Sequence, residues 1–84
     1  MSRKNYHTSS LALAAAIQLI SSESRLQEVQ RAFGSNRAVF VFNESADLST
    51  IIELFWERKL RVDALSFFDA LKVIKSRLYE EGSK

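Results

Sequence analysis

The stretch Arg-Ala-Val-Phe-Val-Phe-Asn at residues 37–43 decides the fold. Its centre, residues 39–42, is entirely β-branched and aromatic, which predicts a β-strand. Because apolar and polar residues do not alternate, we expect this strand to be covered on both faces. Gly34-Ser35-Asn36 before it is typical of a tight hairpin turn. Residues 26–33 therefore predict a partner strand.

Three other segments have apolar residues at helical spacing. The predicted helices cover residues 11–20, 48–59 and 64–80. Each is preceded by a side chain that can accept a hydrogen bond from the first turn. These capping candidates are Ser9 or Ser10, Ser45 or Asp47, and Asp63.

The segment at residues 5–8 is short. Its Tyr6 and Thr8 are two positions apart, as side chains on one face of a strand are, and this alternation permits an edge strand. The predicted order is an optional strand, a helix, two strands and two helices. This order predicts an α+β domain, in which a small antiparallel sheet packs with three helices. A chain of 84 residues supports one domain, here 1–84, with frayed ends at residues 1–5 and 81–84.

Composition argues against most catalytic chemistry. The chain has no Cys, one His and two Gly. Disulfides, thiolate nucleophiles and an ordinary zinc site are therefore excluded. Two glycines cannot build a phosphate-binding loop or a dinucleotide fingerprint. We expect no enzyme activity, no catalytic, cofactor-binding or metal-binding residue and no small-molecule substrate, and we expect the carboxylates to cap helices or lie on the surface.

The N-terminus has some features of an export signal, because Arg3 and Lys4 precede an apolar run. Three polar residues separate these charges from the run, and no small-x-small cleavage site follows Ile20. The run is also shorter than the ~20 apolar residues that a membrane span requires. We expect a cytoplasmic protein that does not enter the membrane.

Several segments together resemble a known family. They are Thr-Ser-Ser-Leu-Ala-Leu-Ala-Ala at 8–15, Arg-Ala-Val-Phe-Val-Phe at 37–42, Phe-Trp at 55–56, Leu-Arg-Val-Asp at 60–63 and Leu-Lys-Val-Ile-Lys-Ser-Arg-Leu-Tyr at 71–79. This pattern, over residues 6–79, resembles a small domain-of-unknown-function family of bacterial, candidate-phyla and phage proteins. The resemblance implies a compact, free-standing intracellular module and transfers no catalytic residue.

The apolar residues indicate a contact with a protein partner. Phe55 and Trp56 are adjacent on a helix, as are Phe67 and Phe68, and neighbours point about 100° apart, so one stripe cannot bury both equally. We expect a non-catalytic protein-interaction module that self-associates as a homodimer or other homo-oligomer, or meets another protein. A tightly wrapped monomer is the alternative. The candidate partner contacts are Phe40, Phe42, Trp56, Phe67 and Tyr79.

The basic residues support an alternative function, that of a nucleic-acid-binding accessory protein. The candidate contacts form a basic edge on the second and third predicted helices: Arg58, Lys59, Arg61, Lys72 and Lys75. Aromatic groups near such an edge are typical of nucleic-acid surfaces. The competing interpretation is an ordinary solvated face, because acids lie at helical spacing from several of these cations and the net charge is only +2.

Overall fold

A computed structural model describes residues 5–31 and 37–82 of the chain. It contains three strands and three helices in the predicted order. They are β1 (Asn5–Thr8), α1 (Leu11–Ile20), β2 (Leu26–Arg31), β3 (Ala38–Asn43), α2 (Leu48–Trp56) and α3 (Ala64–Gly82). The α+β class is confirmed, and the optional N-terminal strand is present.

Some boundaries differ from the sequence prediction. Asn5 pairs with Asn43 in the sheet, and α3 runs to Gly82, so both ordered ends extend into stretches expected to fray. The second helix ends at Trp56 rather than near residue 59. The predicted hairpin turn at 34–36 and the end of its first strand lie outside the described residues.

The sheet has the order β1-β3-β2, and both pairings are antiparallel. The apolar strand β3 is therefore central. The register places Tyr6 opposite Phe42, and both Thr8 and Val29 opposite Phe40. Residues directly opposite share a face, so this register sets which side chains meet the helices.

The helices pack on the face of the sheet that carries Phe40 and Phe42. A single core joins these two side chains to buried residues of every helix. Its buried members are Leu13, Ala14, Ala15, Ile17, Val29, Phe40, Phe42, Leu48, Ile51, Ala70 and Ile74. Helix α1 is the centre of the helical layer and contacts both α2 and α3. Its fully buried alanines let the neighbouring helices approach closely.

The helices cover one face of β3, the face of Phe40 and Phe42. Val41 lies on the other face, opposite His7 and Glu28, and is outside the helical core. It is nevertheless only 2% exposed. Val41 has a cross-strand partner on each side, His7 on β1 and Glu28 on β2, and side chains of both neighbours lie beside it on this face.

A serine network joins the end of α1 to the start of α2. The Ser24 backbone N–H donates to Oγ of Ser21 over 2.9 Å, and the Ser21 hydroxyl donates to Oδ1 of Asp47 over 3.1 Å. The Ser45 hydroxyl donates to the same Asp47 oxygen and lies 2.7 Å from the hydroxyl of Ser24. Because Ser21 and Ser24 are buried, these bonds satisfy polar groups that water cannot reach.

None of the helices in the described ranges combines the length and the apolar character that crossing a membrane requires.

The candidate interaction surface

The candidate surface begins where α2 ends. The N–H of Arg58 donates to the Phe55 carbonyl over 3.1 Å, and the N–H of Lys59 donates to the Leu54 carbonyl over 2.9 Å. This pair of bonds is the Schellman motif that closes many helices. The motif needs a left-handed residue, usually glycine, and here that residue is Arg58, with φ at 63°. The turn therefore carries an arginine in a conformation that costs a side-chain-bearing residue roughly 1–2 kcal/mol.

This turn shapes a pocket between α2 and α3, which we call the corner pocket. Its volume is about 310 Å³, and it is lined by Phe55, Arg58, Leu60, Val62 and Phe67. Four of these side chains are apolar, and the fifth carries a positive charge. The corner pocket thus combines apolar walls with one guanidinium.

Trp56 stands beside the corner pocket. Its ring meets that of Phe55 edge to face, with centroids 5.0 Å apart and an interplanar angle of 88°. Trp56 is 62% exposed, whereas Phe55 packs against the core. The adjacent aromatic pair therefore separates into a core side chain and a surface side chain.

The pair on α3 separates in the same way. Phe67 is half-buried against the core, and Phe68 is 62% exposed. Leu65 and Tyr79 are exposed by 75% and 67%. Phe67 lies on the same side of α3 as the buried Ala70 and Ile74, and it also lines the corner pocket.

Five exposed residues of α3 form one line, which we call the outer stripe. It consists of Leu65, Phe68, Lys72, Lys75 and Tyr79, spaced alternately three and four residues apart. At about 100° per residue they share an arc of about 80°, and they extend over roughly 21 Å of helix. Leu65 and Phe68 were not among the candidate contacts, although Phe68 lies four residues before Lys72 and Leu65 three residues before Phe68, a spacing that could have revealed them.

Phe40 and Phe42 must be removed from the candidate partner contacts. Both are buried in the chain's own core, where they lie under the helices. The row of β3 that lies outside the helical core is that of Val39 and Val41.

The five candidate basic residues are all exposed, and they form two groups. Arg58, Lys59 and Arg61 lie in the connection between α2 and α3, while Lys72 and Lys75 lie on the outer stripe. Lys72 is about 12 Å along the helix from the start of α3. Lys59 pairs with Glu57 over 3.8 Å. The other four make no ion pair within the described part of the chain. Asp69 precedes Lys72 by three residues, a spacing that permits an ion pair, but the two side chains do not form one.

Asp63 anchors the first turn of α3. Its Oδ2 accepts a bond from the Ser66 N–H over 2.9 Å and another from the Ser66 hydroxyl over 3.0 Å. These bonds favour the ionised carboxylate and hold the pKa of Asp63 below its ordinary value of 3.8. The predicted cap is confirmed. It fixes the residue at which α3 begins, and the outer stripe lies on that helix.

Asp47 has a different role from the one predicted. It stands at the start of α2 but makes no side-chain capping bond to that helix. Its carboxylate accepts bonds from the hydroxyls of Ser45 and Ser21 instead, and these bonds lower its pKa. In residues 5–31 and 37–82, no group of three or more His, Cys, Asp or Glu side chains could hold a metal ion.

Comparison with known proteins gives one match. A family model described as a domain of unknown function, DUF5659, matches residues 3–80. The chain belongs to the DUF5659 family. The resemblance drawn from the sequence is thereby confirmed. No curated protein and no solved structure matches the chain.

Membership in DUF5659 assigns no activity, because the family is described only by its unknown function. The matched region contains every residue of the corner pocket and of the outer stripe. In this DUF5659 chain, function must therefore be inferred from what these two surfaces can bind.

Proposed function

We propose that this chain is a cytoplasmic, non-catalytic protein-interaction module that self-associates through the outer stripe and Trp56. The observation that carries the proposal is the exposure of Trp56, Leu65, Phe68 and Tyr79, each by more than 60%. Single exposed apolar side chains are ordinary. Three of these four lie on one face of one helix, and such a line is typical of a helix that packs against a partner.

Aromatic side chains support this proposal because they are the usual anchors of protein contacts. A few aromatic and arginine residues carry most of the binding free energy in an interface. Phe68 lies between Leu65 and Lys72 on the stripe, and Trp56 is held by its edge-to-face contact with Phe55. A side chain already fixed by a neighbour loses less conformational entropy when a partner covers it.

The lysines of the outer stripe predict how self-association responds to salt. A symmetric dimer contact uses the same patch on both copies. Lys72 is the midpoint of the stripe, so in an antiparallel contact along the whole stripe it faces the Lys72 of the second copy. Salt screens this repulsion. We therefore expect association to strengthen between about 0.05 and 0.5 M salt.

The test is sedimentation equilibrium at these two salt concentrations. Phe68→Ser and Trp56→Ser should each weaken association by about tenfold or more, which corresponds to ~1.4 kcal/mol. Val73→Ser is the matched control, because Val73 is an exposed apolar residue of α3 that lies off the outer stripe. A wild-type chain that remains a monomer at millimolar concentration in high salt contradicts the proposal.

A second candidate function is nucleic-acid binding. The observation that favours it is that Lys72 and Lys75 lie between Phe68 and Tyr79 on the outer stripe, without an ion pair in the described part of the chain. Cations that contact phosphate, interleaved with rings that stack on bases, are the two components of a single-strand binding surface.

Salt separates the two candidates, because nucleic-acid affinity falls with salt as counterions are released. The test is fluorescence anisotropy with labelled single- and double-stranded DNA and RNA at two salt concentrations. Lys72→Gln with Lys75→Gln should abolish binding. Lys59→Gln is the control, since Glu57 already pairs with Lys59. Absence of binding at about 0.05 M salt, where screening is weak, would contradict this second function and show that the two lysines are ordinary solvated residues.

A further inference from the structure

The corner pocket has a size that fits a side chain and does not fit a large cofactor. Its volume of about 310 Å³ lies at the lower end of the range for ligand pockets, roughly 300–1,000 Å³. The walls formed by Phe55, Leu60, Val62 and Phe67 offer apolar contacts on several sides. One leucine or phenylalanine side chain of a partner can enter such a space.

Arg58 supplies the charge at the corner pocket. No acid lines the pocket, and Arg58 makes no ion pair among the described residues. A guanidinium offers a planar fork of donors that matches a carboxylate. A ligand that places a carboxylate beside its apolar group therefore complements the pocket in both shape and charge.

The backbone of the turn holds this charge in place. Arg58 occupies the left-handed position of the Schellman motif, where glycine is the favoured residue. The turn fixes the Arg58 backbone at the edge of the corner pocket through hydrogen bonds to the end of α2.

From these observations we infer that the corner pocket binds an acidic peptide segment of another protein. A leucine or phenylalanine side chain of this segment enters among Phe55, Leu60 and Phe67, and a neighbouring carboxylate pairs with Arg58. Arg61, between the pocket-lining Leu60 and Val62, attracts a further acidic residue of the same segment, whereas Lys59 is already paired with Glu57. The inference goes beyond self-association, because it requires neither a second copy of the chain nor the outer stripe.

The probe is a blocked tripeptide, Glu-Phe-Glu, titrated into the full-length chain labelled with nitrogen-15 and followed by NMR. Gln-Phe-Gln removes the charge of the probe, and Glu-Ala-Glu removes its anchor. We expect Glu-Phe-Glu to shift the amides of residues 55–67 and to bind at least about tenfold more tightly than either control peptide.

Two variants test the pocket residues without disturbing the core. Arg58→Gly removes the guanidinium and preserves the left-handed turn, because glycine adopts that conformation freely. Val62→Asp introduces a carboxylate that repels the acidic probe. Both should lose about tenfold or more in affinity, whereas Arg61→Gln, which does not line the pocket, should lose much less. Thermal unfolding of each variant shows whether it remains folded.

Three results would overturn the inference. The first is the absence of any shift with millimolar Glu-Phe-Glu. The second is equal affinity for the wild-type chain and Arg58→Gly. The third is equal affinity of Glu-Phe-Glu and Glu-Ala-Glu, since that result shows only a general attraction of acids to basic residues. Molecular mass reports self-association separately, so failure here does not decide the proposed function.

Discussion

The hydroxyl of Ser21 donates a hydrogen bond to Oδ1 of Asp47 over 3.1 Å, and it thereby links the residue that ends α1 to the residue that precedes α2. The two residues are 26 positions apart in the chain. Ser21 is buried, so its hydroxyl has no access to water as a replacement partner. The link holds α2 against α1 and therefore positions the corner pocket at the far end of α2.

Replacing Ser21 by Ala should destabilise the chain by roughly 1–3 kcal/mol. The substitution leaves the Ser24 N–H without its side-chain acceptor and removes one donor to Asp47. Urea unfolding followed by circular dichroism measures the change. Ser22→Ala is the matched control, because Ser22 is exposed and its backbone is unaltered. Equal stability of the two variants would mean that the network contributes little.

Stability should fall in acid because two carboxylates have lowered pKa values. Hydrogen bonds hold the pKa of Asp47 and of Asp63 below 3.8 in the folded chain. The unfolded chain therefore binds more protons than the folded chain as pH falls through this region, and protonation favours unfolding. The stabilisation is complete at neutral pH and is lost progressively below about pH 5.

The variant Asp63→Asn isolates one part of this acid sensitivity. Asparagine is also a good helix cap, so the first turn of α3 keeps an acceptor while the titrating group is removed. The midpoint of thermal unfolding, measured from pH 7 to pH 2.5, should fall less steeply in Asp63→Asn than in the wild type. An unchanged pH profile would assign the sensitivity to other carboxylates. Asp69→Asn serves as the control, since Asp69 is an exposed carboxylate elsewhere on α3.

Replacing Arg58 by Gly should stabilise the chain by about 0.5–1 kcal/mol. Glycine relieves the cost of the left-handed conformation, although it gives the unfolded chain more conformational freedom. Arg58→Ala should bring no such gain, because alanine also has a Cβ. Urea unfolding compares the two. A destabilised Arg58→Gly would show that the arginine side chain makes stabilising contacts that outweigh the backbone cost.

Helix α1 should not tolerate enlargement of its buried alanines. Ala15 is fully buried beneath the other elements, so Ala15→Leu forces side chains and backbone apart and should cost at least roughly 1–3 kcal/mol. Ala12 lies on the same helix but is exposed. Ala12→Leu adds the same atoms and should change stability by less than about 0.5 kcal/mol. Thermal unfolding of the two variants makes the comparison directly.

The sequence predicted the elements well where the signal is local. The uninterrupted apolar run of β3 and the helical spacing of α3 need no distant contact to be recognised. Strand β1 stayed ambiguous because its partners, such as Phe42 for Tyr6, lie more than thirty residues away. Its pairing depends on the assembled fold and is not encoded in the four residues themselves.

The candidate surface was predicted less completely than the fold. Trp56, Tyr79 and the five cations are exposed, whereas Phe67 is half-buried and its neighbour Phe68 is the more exposed of the two. Which of two adjacent helix residues is exposed depends on the rotation of α3, which its packing against α1 and the sheet determines. The corner pocket could not be foreseen, because no glycine at position 58 marks the left-handed turn.

The central position of β3 separates the sheet into two pairings that differ in loop length. Strands β2 and β3 are consecutive in the chain, whereas α1 and β2 lie between β1 and β3. Closing the longer loop costs more entropy, so we expect the hairpin side to form early and β1 to dock late. By the same reasoning β1, with four residues at an edge, is the first strand to detach. Its departure uncovers a free edge of the most apolar strand, where the β1 of another molecule can insert, and the N-terminus is therefore the place where strand exchange between copies would begin.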